Sequence, residues 1–212
     1  MKFNRMTKRT LPYYLFTLSV FLICAFAGAG VASSRDPSAV DMDEQVKQWA
    51  GSCNREIVSL FESYIDSGSL TLRQLFDTFY IPIPHTNPPK YRTQYDRIVE
   101  KPLQKILDRY RARHKNLIYV MAVDAYGYLP AYHSEFSGSF TSNQLEDYKN
   151  NKKKRILNDR IGRAAAGNKK TVLIQQIPPV NGEAVFDLST PIFINHRHWG
   201  AVRFGYHKGK NE

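Results

Sequence analysis

Thr171-Val172-Leu173-Ile174-Gln175-Gln176-Ile177, closed by Pro178-Pro179, leads through Asn181-Gly182 into residues 183–194. After Asn195-His196-Arg197 comes His198-Trp199-Gly200-Ala201-Val202-Arg203-Phe204-Gly205-Tyr206. β-Branched and aromatic residues fill these runs, and Asn-Gly between two such runs is a strong hairpin signal. The stretch therefore predicts a three-stranded antiparallel meander, with Pro191 marking an edge or a bulge. Working outward, Leu117-Ile118-Tyr119-Val120-Met121-Ala122-Val123-Asp124 is an apolar run of strand length, predicted to be buried on both faces. Gly127 and Pro130 punctuate the chain beyond it, so residues 126–133 predict a turn leading into a second short strand. The sum is a five-stranded antiparallel sheet.

The segments around the strands read as helices. Asp41, followed by Glu44 at capping-box spacing, opens a run in which Val46, Trp49, Cys53, Ile57, Leu60, Phe61 and Tyr64 recur on one face. Ser67-Gly68 stops it. Residues 70–80 predict a second, short helix. Pro82, Pro84, Pro88 and Pro89 then force an extended or turning chain. Residues 93–114 predict a third helix, kinked or restarted at Pro102. Residues 137–151 read as a loop with a short helix, and 154–166 as a helix ended by Gly167-Asn168. Helices, two strands, short helices and then a meander give an α+β class, with long N-terminal helices behind the sheet and short helices over one face.

Residues 1–32 have the marks of a secretory signal peptide. Lys2, Arg5, Lys8 and Arg9 precede 22 uncharged residues, 11–32, which close in Ala and Gly. The same run is long enough to be an uncleaved membrane anchor. Ile23 before Cys24 argues against a lipid anchor. Residues 33–40 predict a flexible leader and 41–212 a single domain, periplasmic or secreted, or held at the inner membrane by residues 11–32. Beyond residue 32 the chain carries 26 basic and 19 acidic residues, a net +7. No nucleic-acid motif accompanies that excess, so Lys152-Lys153-Lys154-Arg155 reads as a solvated basic face and nucleic acid is not an expected partner. Cys53 alone remains after processing. It predicts a small buried hydrophobe, with no disulfide, metal cluster or haem-attachment motif.

Four segments resemble the sensor module of one group of bacterial methyl-accepting chemotaxis proteins. They are Leu75-Phe76-Asp77-Thr78-Phe79-Tyr80-Ile81-Pro82-Ile83-Pro84 with Thr86-Asn87-Pro88; Val123-Asp124 with Gly127-Tyr128-Leu129-Pro130 and His133; Lys154-Arg155-Ile156-Leu157-Asn158-Asp159-Arg160-Ile161-Gly162; and Asp187-Leu188-Ser189 with Pro191-Ile192-Phe193, Arg197-His198-Trp199-Gly200, Arg203 and Gly205-Tyr206. The likeness spans residues 67–206. It implies a PAS/Cache-like sensory fold that binds a small ligand or passes a conformational signal. The chain departs from that group in lacking a helical signalling domain, in Ile177-Pro178-Pro179-Val180 where the group carries a charged run, and in His196 where it favours Gly. Chemotaxis itself therefore does not follow from the likeness.

The chemistry-bearing residues point to binding. No Gly-x-Ser-x-Gly elbow, Cys–His–Asn arrangement or Gly-rich phosphate loop is present, so the domain is expected to be non-catalytic and to need no cofactor. His196 and His198 without a placed carboxylate or Cys predict no metal site. Read as a helix bordering the sheet, residues 154–166 would present Arg155 and Asp159 on one face and Arg160 beside them. Arginine's planar fork suits a carboxylate-bearing ligand, with Tyr126, Tyr128 and His133 shaping the pocket. For Asp159 and Arg160, an internal salt bridge fixing helix to sheet is the equal alternative, and Trp199 reads as core. Ligand binding is expected to shift the helix 41–66 against the sheet. A second function is an interaction module that pairs through helix 41–66 with its own copy or with a membrane receptor. A third is a haem-binding sensor using His133 or His198.

Overall fold

Helix α1, Met42–Asp66, forms where the sequence places it. The Asp41 carboxylate accepts from the Asp43 amide at 3.1 Å. The capping box does not close, because Glu44 turns to Lys47, 3.2 Å away. The structure, a computed structural model, describes residues 41–138, 143–179 and 183–208. The expected signal peptide or anchor, the leader and the Asn181-Gly182 turn lie outside the described residues. Among those residues, no helix is long and apolar enough to cross a membrane. Val46, Ala50, Cys53, Ile57 and Phe61 are fully buried along one stripe of α1. That stripe is spent in the protein's own core, so a second copy could not pair through it without unpacking this one. Burial pushes the Cys53 thiol far up, which leaves it an inert apolar group.

The expected helix over 70–80 shrinks to one turn, α2, Leu72–Leu75, closed by a reciprocal capping box between Thr71 and Gln74. The Asp77 carboxylate takes the Phe79 amide at 3.1 Å and turns the chain out of the helix. The proline-rich segment forms a small hairpin, β1 Ile81–Ile83 with β2 Lys90–Arg92. Helix α3, Asp96–Arg111, is shorter than expected and runs on through Pro102. An interior proline costs about 3 kcal/mol. Val99, Leu103, Ile106, Leu107 and Tyr110 are buried together on α3. Each such side chain is worth about 1.5–3 kcal/mol on burial, so the stripe wins.

The sheet has four strands, correcting the five expected. These are β3 Leu117–Asp124, β4 Leu173–Ile177, β5 Val185–Ile194 and β6 Arg197–Tyr206, in the antiparallel order β3-β6-β5-β4. The missing strand is the one expected in 126–133. Its backbone pairs instead with residues 154–157: Leu129 N donates to Arg155 O, Lys154 N to Leu129 O and Leu157 N to Gly127 O. That ladder also corrects the helix expected from 154. Residues 154–157 are not helical, and α5 spans only Arg160–Ala166, with Asp159 as its N-cap. The short helix in 137–151 is α4, Gln144–Asn150. Pro191 is tolerated because β4 pairs with β5 only as far as Ser189, so its missing donor is not needed there. A register shift comes directly after it, between Ile192 and Phe193.

Two layers of core result. Helices α1 and α3 pack on one sheet face around Val120, Ala122, Leu188, Val202 and Phe204. Trp199 lies in this core, edge-on to Phe61 at 4.9 Å, with its indole N–H on Leu75 O. On the other face Met121 and Val123 pack against Leu129, Tyr132 and Ala166, under α5 and residues 127–136.

Candidate functional site

The basic run 152–155 is not the solvated face its composition suggests. Lys154 is held at φ +66°. Its own carbonyl accepts from Tyr91 N at 2.8 Å, so the segment is pinned between β2 and Leu129. The Lys154 ammonium is buried 3.0 Å from Asp96 Oδ2 and 2.9 Å from Glu100 Oε2, and Lys153 reaches Glu100 Oε1 at 2.7 Å. Asp96 also accepts from the Tyr128 hydroxyl at 2.9 Å. The first turns of α3 are thereby joined to the segment that replaces the expected helix.

Beside these pairs two cations share one oxygen. Lys90 Nζ donates to Asn151 O at 2.8 Å, and Arg155 Nη2 donates to the same oxygen at 3.0 Å. Arg155 also donates to Tyr148 O at 3.0 Å, with its guanidinium 5.2 Å from the Tyr148 ring centre. Burial, then the Arg155 charge, push the Lys90 pKa down to about 7. Burial lowers Arg155 itself, and burial with Arg155 lowers Lys152. A cleft of about 270 Å³ opens here, lined by Arg92, Arg97, Asn151, Lys153 and Lys154 with Asp96 and Glu100. Asn151 Oδ1 and Arg155 Nε are buried without a hydrogen-bond partner. Such atoms cost about 1–3 kcal/mol each; an anion that reaches Arg155 Nε by a small repacking regains that cost, whereas Asn151 Oδ1 needs a donor.

On the outer face of the sheet lies a buried ion pair that the sequence reading missed. Arg203 Nε donates to Asp187 Oδ1 at 3.1 Å, and the Tyr119 hydroxyl donates to the same oxygen at 2.7 Å. His133 packs above, its ring 4.3 Å from Tyr132 and 5.3 Å from Phe136. Burial drives its pKa down to about 4, so the imidazole is neutral at physiological pH. Its Nε2 is buried without a partner.

The six expected ligand contacts therefore separate. Arg155 stands in the basic cluster, and Tyr128 joins it through Asp96 and Lys154. His133 sits behind Tyr132 on the sheet face. Tyr126 is 62% exposed, and its amide is held by Asp124 Oδ1 at 2.9 Å. Asp159 caps α5, accepting from Ile161 N and Gly162 N at 3.0 Å each. Arg160 is exposed on the first turn of that helix. Arg155 and Asp159 share no helix face, because residue 155 is not helical. The alternative salt bridge exists in other hands, those of Asp187 and Arg203. Lys90 and Asn151 were missed because nothing local marks them. Asp187 and Arg203 carried a signal, since a charge inside an apolar strand run needs a buried partner. Among the described residues no group of three or more His, Cys, Asp or Glu is placed to hold a metal ion.

No family model matches the chain, and no curated protein matches it either. Among solved structures it is similar to an extracellular ligand binding receptor from Desulfohalobium retbaense DSM5692, at 15% identity and a TM-score of 0.32. The match covers 77% of this chain and 25% of that one, so the chain spans a quarter of the receptor's length.

Proposed function

We propose that the domain is a non-catalytic sensor whose ligand is a small anion, a carboxylate above all, bound at the cleft beside Lys90 and Arg155. The observation that carries this is the pair of cations on the Asn151 carbonyl. With Lys90 protonated, two unit charges ~5 Å apart repel by roughly 3 kcal/mol at an effective dielectric constant of about 20, offset in part by Asp147, which pulls the Lys90 pKa up. An anion in the adjoining cleft relieves that repulsion, and Arg155 offers the planar fork for it. The resemblance of four segments to a bacterial sensor module supports the sensory role, for an exported chain. Helix α3 supplies a route for the signal. It carries Asp96 and Glu100 at the cleft, and near its other end the Tyr110 hydroxyl donates to Glu56 of α1 at 2.6 Å, with Arg109 on the same carboxylate. Drawing Lys153 and Lys154 toward a ligand would move α3, and with it α1.

Isothermal titration of the purified protein with acetate, pyruvate, succinate, citrate and inorganic phosphate tests the reading. Saturable binding by at least one of them is expected, weakened by about tenfold or more in Arg155→Ala, the loss of about 1.4 kcal/mol or more. Arg160→Ala should bind like wild type. If no anion binds, or Arg155→Ala binds unchanged, the reading fails.

A pH dependence arises from Lys90. Its proton is held less tightly folded, at about 7, than at the ordinary 10.5. The ligand-free protein should therefore gain stability as pH rises from about 7 toward the unfolded value. Anion binding favours the protonated amine, so affinity should be highest below pH 7 and fall above it. An affinity that is flat or rises between pH 6 and 8.5 would remove Lys90 from the site.

A further inference from the structure

Three of the four motif segments meet again away from the basic cleft. Leu75 to Thr78, Asp124 to Tyr126 and Arg197 to Trp199 line a second, smaller cleft of about 130 Å³. Two acceptors here lack donors. Asp77 Oδ1 takes the Phe79 amide, but Asp77 Oδ2 is shut from solvent with no partner. His198 Nε2 is in the same condition. Burial, then Lys169, push the His198 pKa down, against the Asn168 and Gly200 backbone, and in the tautomer with the proton on Nδ1 its Nε2 accepts.

The charges are equally incomplete. Asp124 is filled by four donors, the hydroxyls of Tyr80 and Tyr95 at 2.8 and 2.9 Å and the amides of Tyr126 and Tyr128 at 2.9 and 3.0 Å. None of the four is a cation. Arg197 lies against the Phe76 ring at 4.1 Å, and among the described residues no ion pair joins it to Asp77. Phe76, Tyr126 and Trp199 give the cleft aromatic walls. The complement is one positive charge with several N–H donors on a short apolar stem. A cleft of this volume suits a ligand of a few non-hydrogen atoms.

We propose that this cleft binds a small primary alkylammonium ion, with Asp77 as its counter-ion, His198 Nε2 as a further acceptor and the stem against Trp199 and Tyr126. Turning the Asp77 carboxylate about its last torsion presents Oδ2 to the ligand and loosens the Oδ1 bond from the Phe79 amide, a cost that the new ion pair offsets. The site is independent of the anion cleft, and Arg155→Ala should leave it intact.

The test uses n-propylammonium chloride as the probe, with n-propanol as the uncharged match, followed by NMR of the tryptophan indole N–H groups in the whole protein. Trp199 lies in the cleft wall, and Trp49, on α1, is the internal control. A saturable shift of Trp199 alone is expected with n-propylammonium and not with n-propanol. Asp77→Asn keeps the acceptor for the Phe79 amide and removes the charge, and should weaken binding by about tenfold or more. If that variant is not folded, Tyr126→Ala replaces it, since the exposed ring can be removed without opening the core; a severalfold loss is expected. No saturable shift in wild type, an equal response to n-propanol, or undiminished binding in a folded variant would overturn the proposal.

Discussion

Gly200→Ala is expected to leave little or no folded protein. A Cβ at residue 200 would lie 1.9 Å from the carbonyl oxygen of Val123 and 2.6 Å from Asp124 Cα. Both are backbone atoms of the neighbouring strand, so no side-chain rotation makes room. Ordinary overpacking costs about 1–3 kcal/mol. Here β3 itself must retreat from β6, disturbing the four donors gathered on Asp124 and the packing of Trp199. A loss above about 4 kcal/mol is expected, against a total of ~5–15 kcal/mol for a domain. Soluble yield and circular-dichroism melting check it; a melting temperature within a few degrees of wild type would contradict this geometry. Gly51→Ala is the contrasting control. Its Cβ meets only the end of the Arg55 side chain, at 3.8 Å, on a helix. That change should stabilise by about 0.5–1 kcal/mol.

Asp187→Ala is the second large effect. Asp187 is fully buried, and Arg203 is 4% exposed. Burial alone would loosen the Arg203 proton, but Asp187 and then Tyr119 outweigh it and the net shift is upward. Without Asp187 the guanidinium is left as an unpaired buried charge that cannot shed its proton. Breaking such a pair costs about 3–5 kcal/mol. Replacing both residues, Asp187→Leu with Arg203→Leu, should recover part of that loss, because an apolar pair avoids the desolvation of two charges but leaves the Tyr119 hydroxyl without its acceptor. Urea denaturation of the two single variants and the double gives the comparison. A loss below about 1 kcal/mol in Asp187→Ala would show that the carboxylate is dispensable.

Much of the architecture was legible because it is written locally. The period of Val46, Cys53, Ile57 and Phe61 is α1, and the β-branched runs around 117–124 and 171–206 are the four strands. What failed was non-local. Lys154-Arg155-Ile156-Leu157 has good helix propensity, yet its backbone is claimed by Gly127 and Leu129. The glycines hinted at this. A Cβ on Gly127 or on Gly162 would stand 2.6 Å from Leu157 O, so both glycines were marking a close approach, but no pattern in the sequence names the atom approached. The basic run was misread for the same reason. Its partners Asp96 and Glu100 lie more than fifty residues upstream, and charge density says nothing about pairing at that separation. Of the six expected ligand contacts, Arg155 is the cation that stands beside the basic cleft, and it does so without any helix face. Lys90 comes after two prolines and looks like an ordinary loop lysine.

The order of strands in the sheet bears on how the chain is made. Strand β6 is paired on both sides, with β3 in a register running from Leu117↔Tyr206 to Asp124↔Gly200, and with β5. It is also the last of the described strands to leave the ribosome. Until it does, β3 has no neighbour in the sheet, and the β4–β5 hairpin has no floor. Contacts between segments so far apart in sequence form slowly. Throughout that interval two apolar strands keep open edges, which are templates for pairing with other chains. A nascent or clipped chain that stops short of residue 197 should therefore behave as an aggregating peptide rather than as a smaller domain, and a holding chaperone has most to protect in that interval.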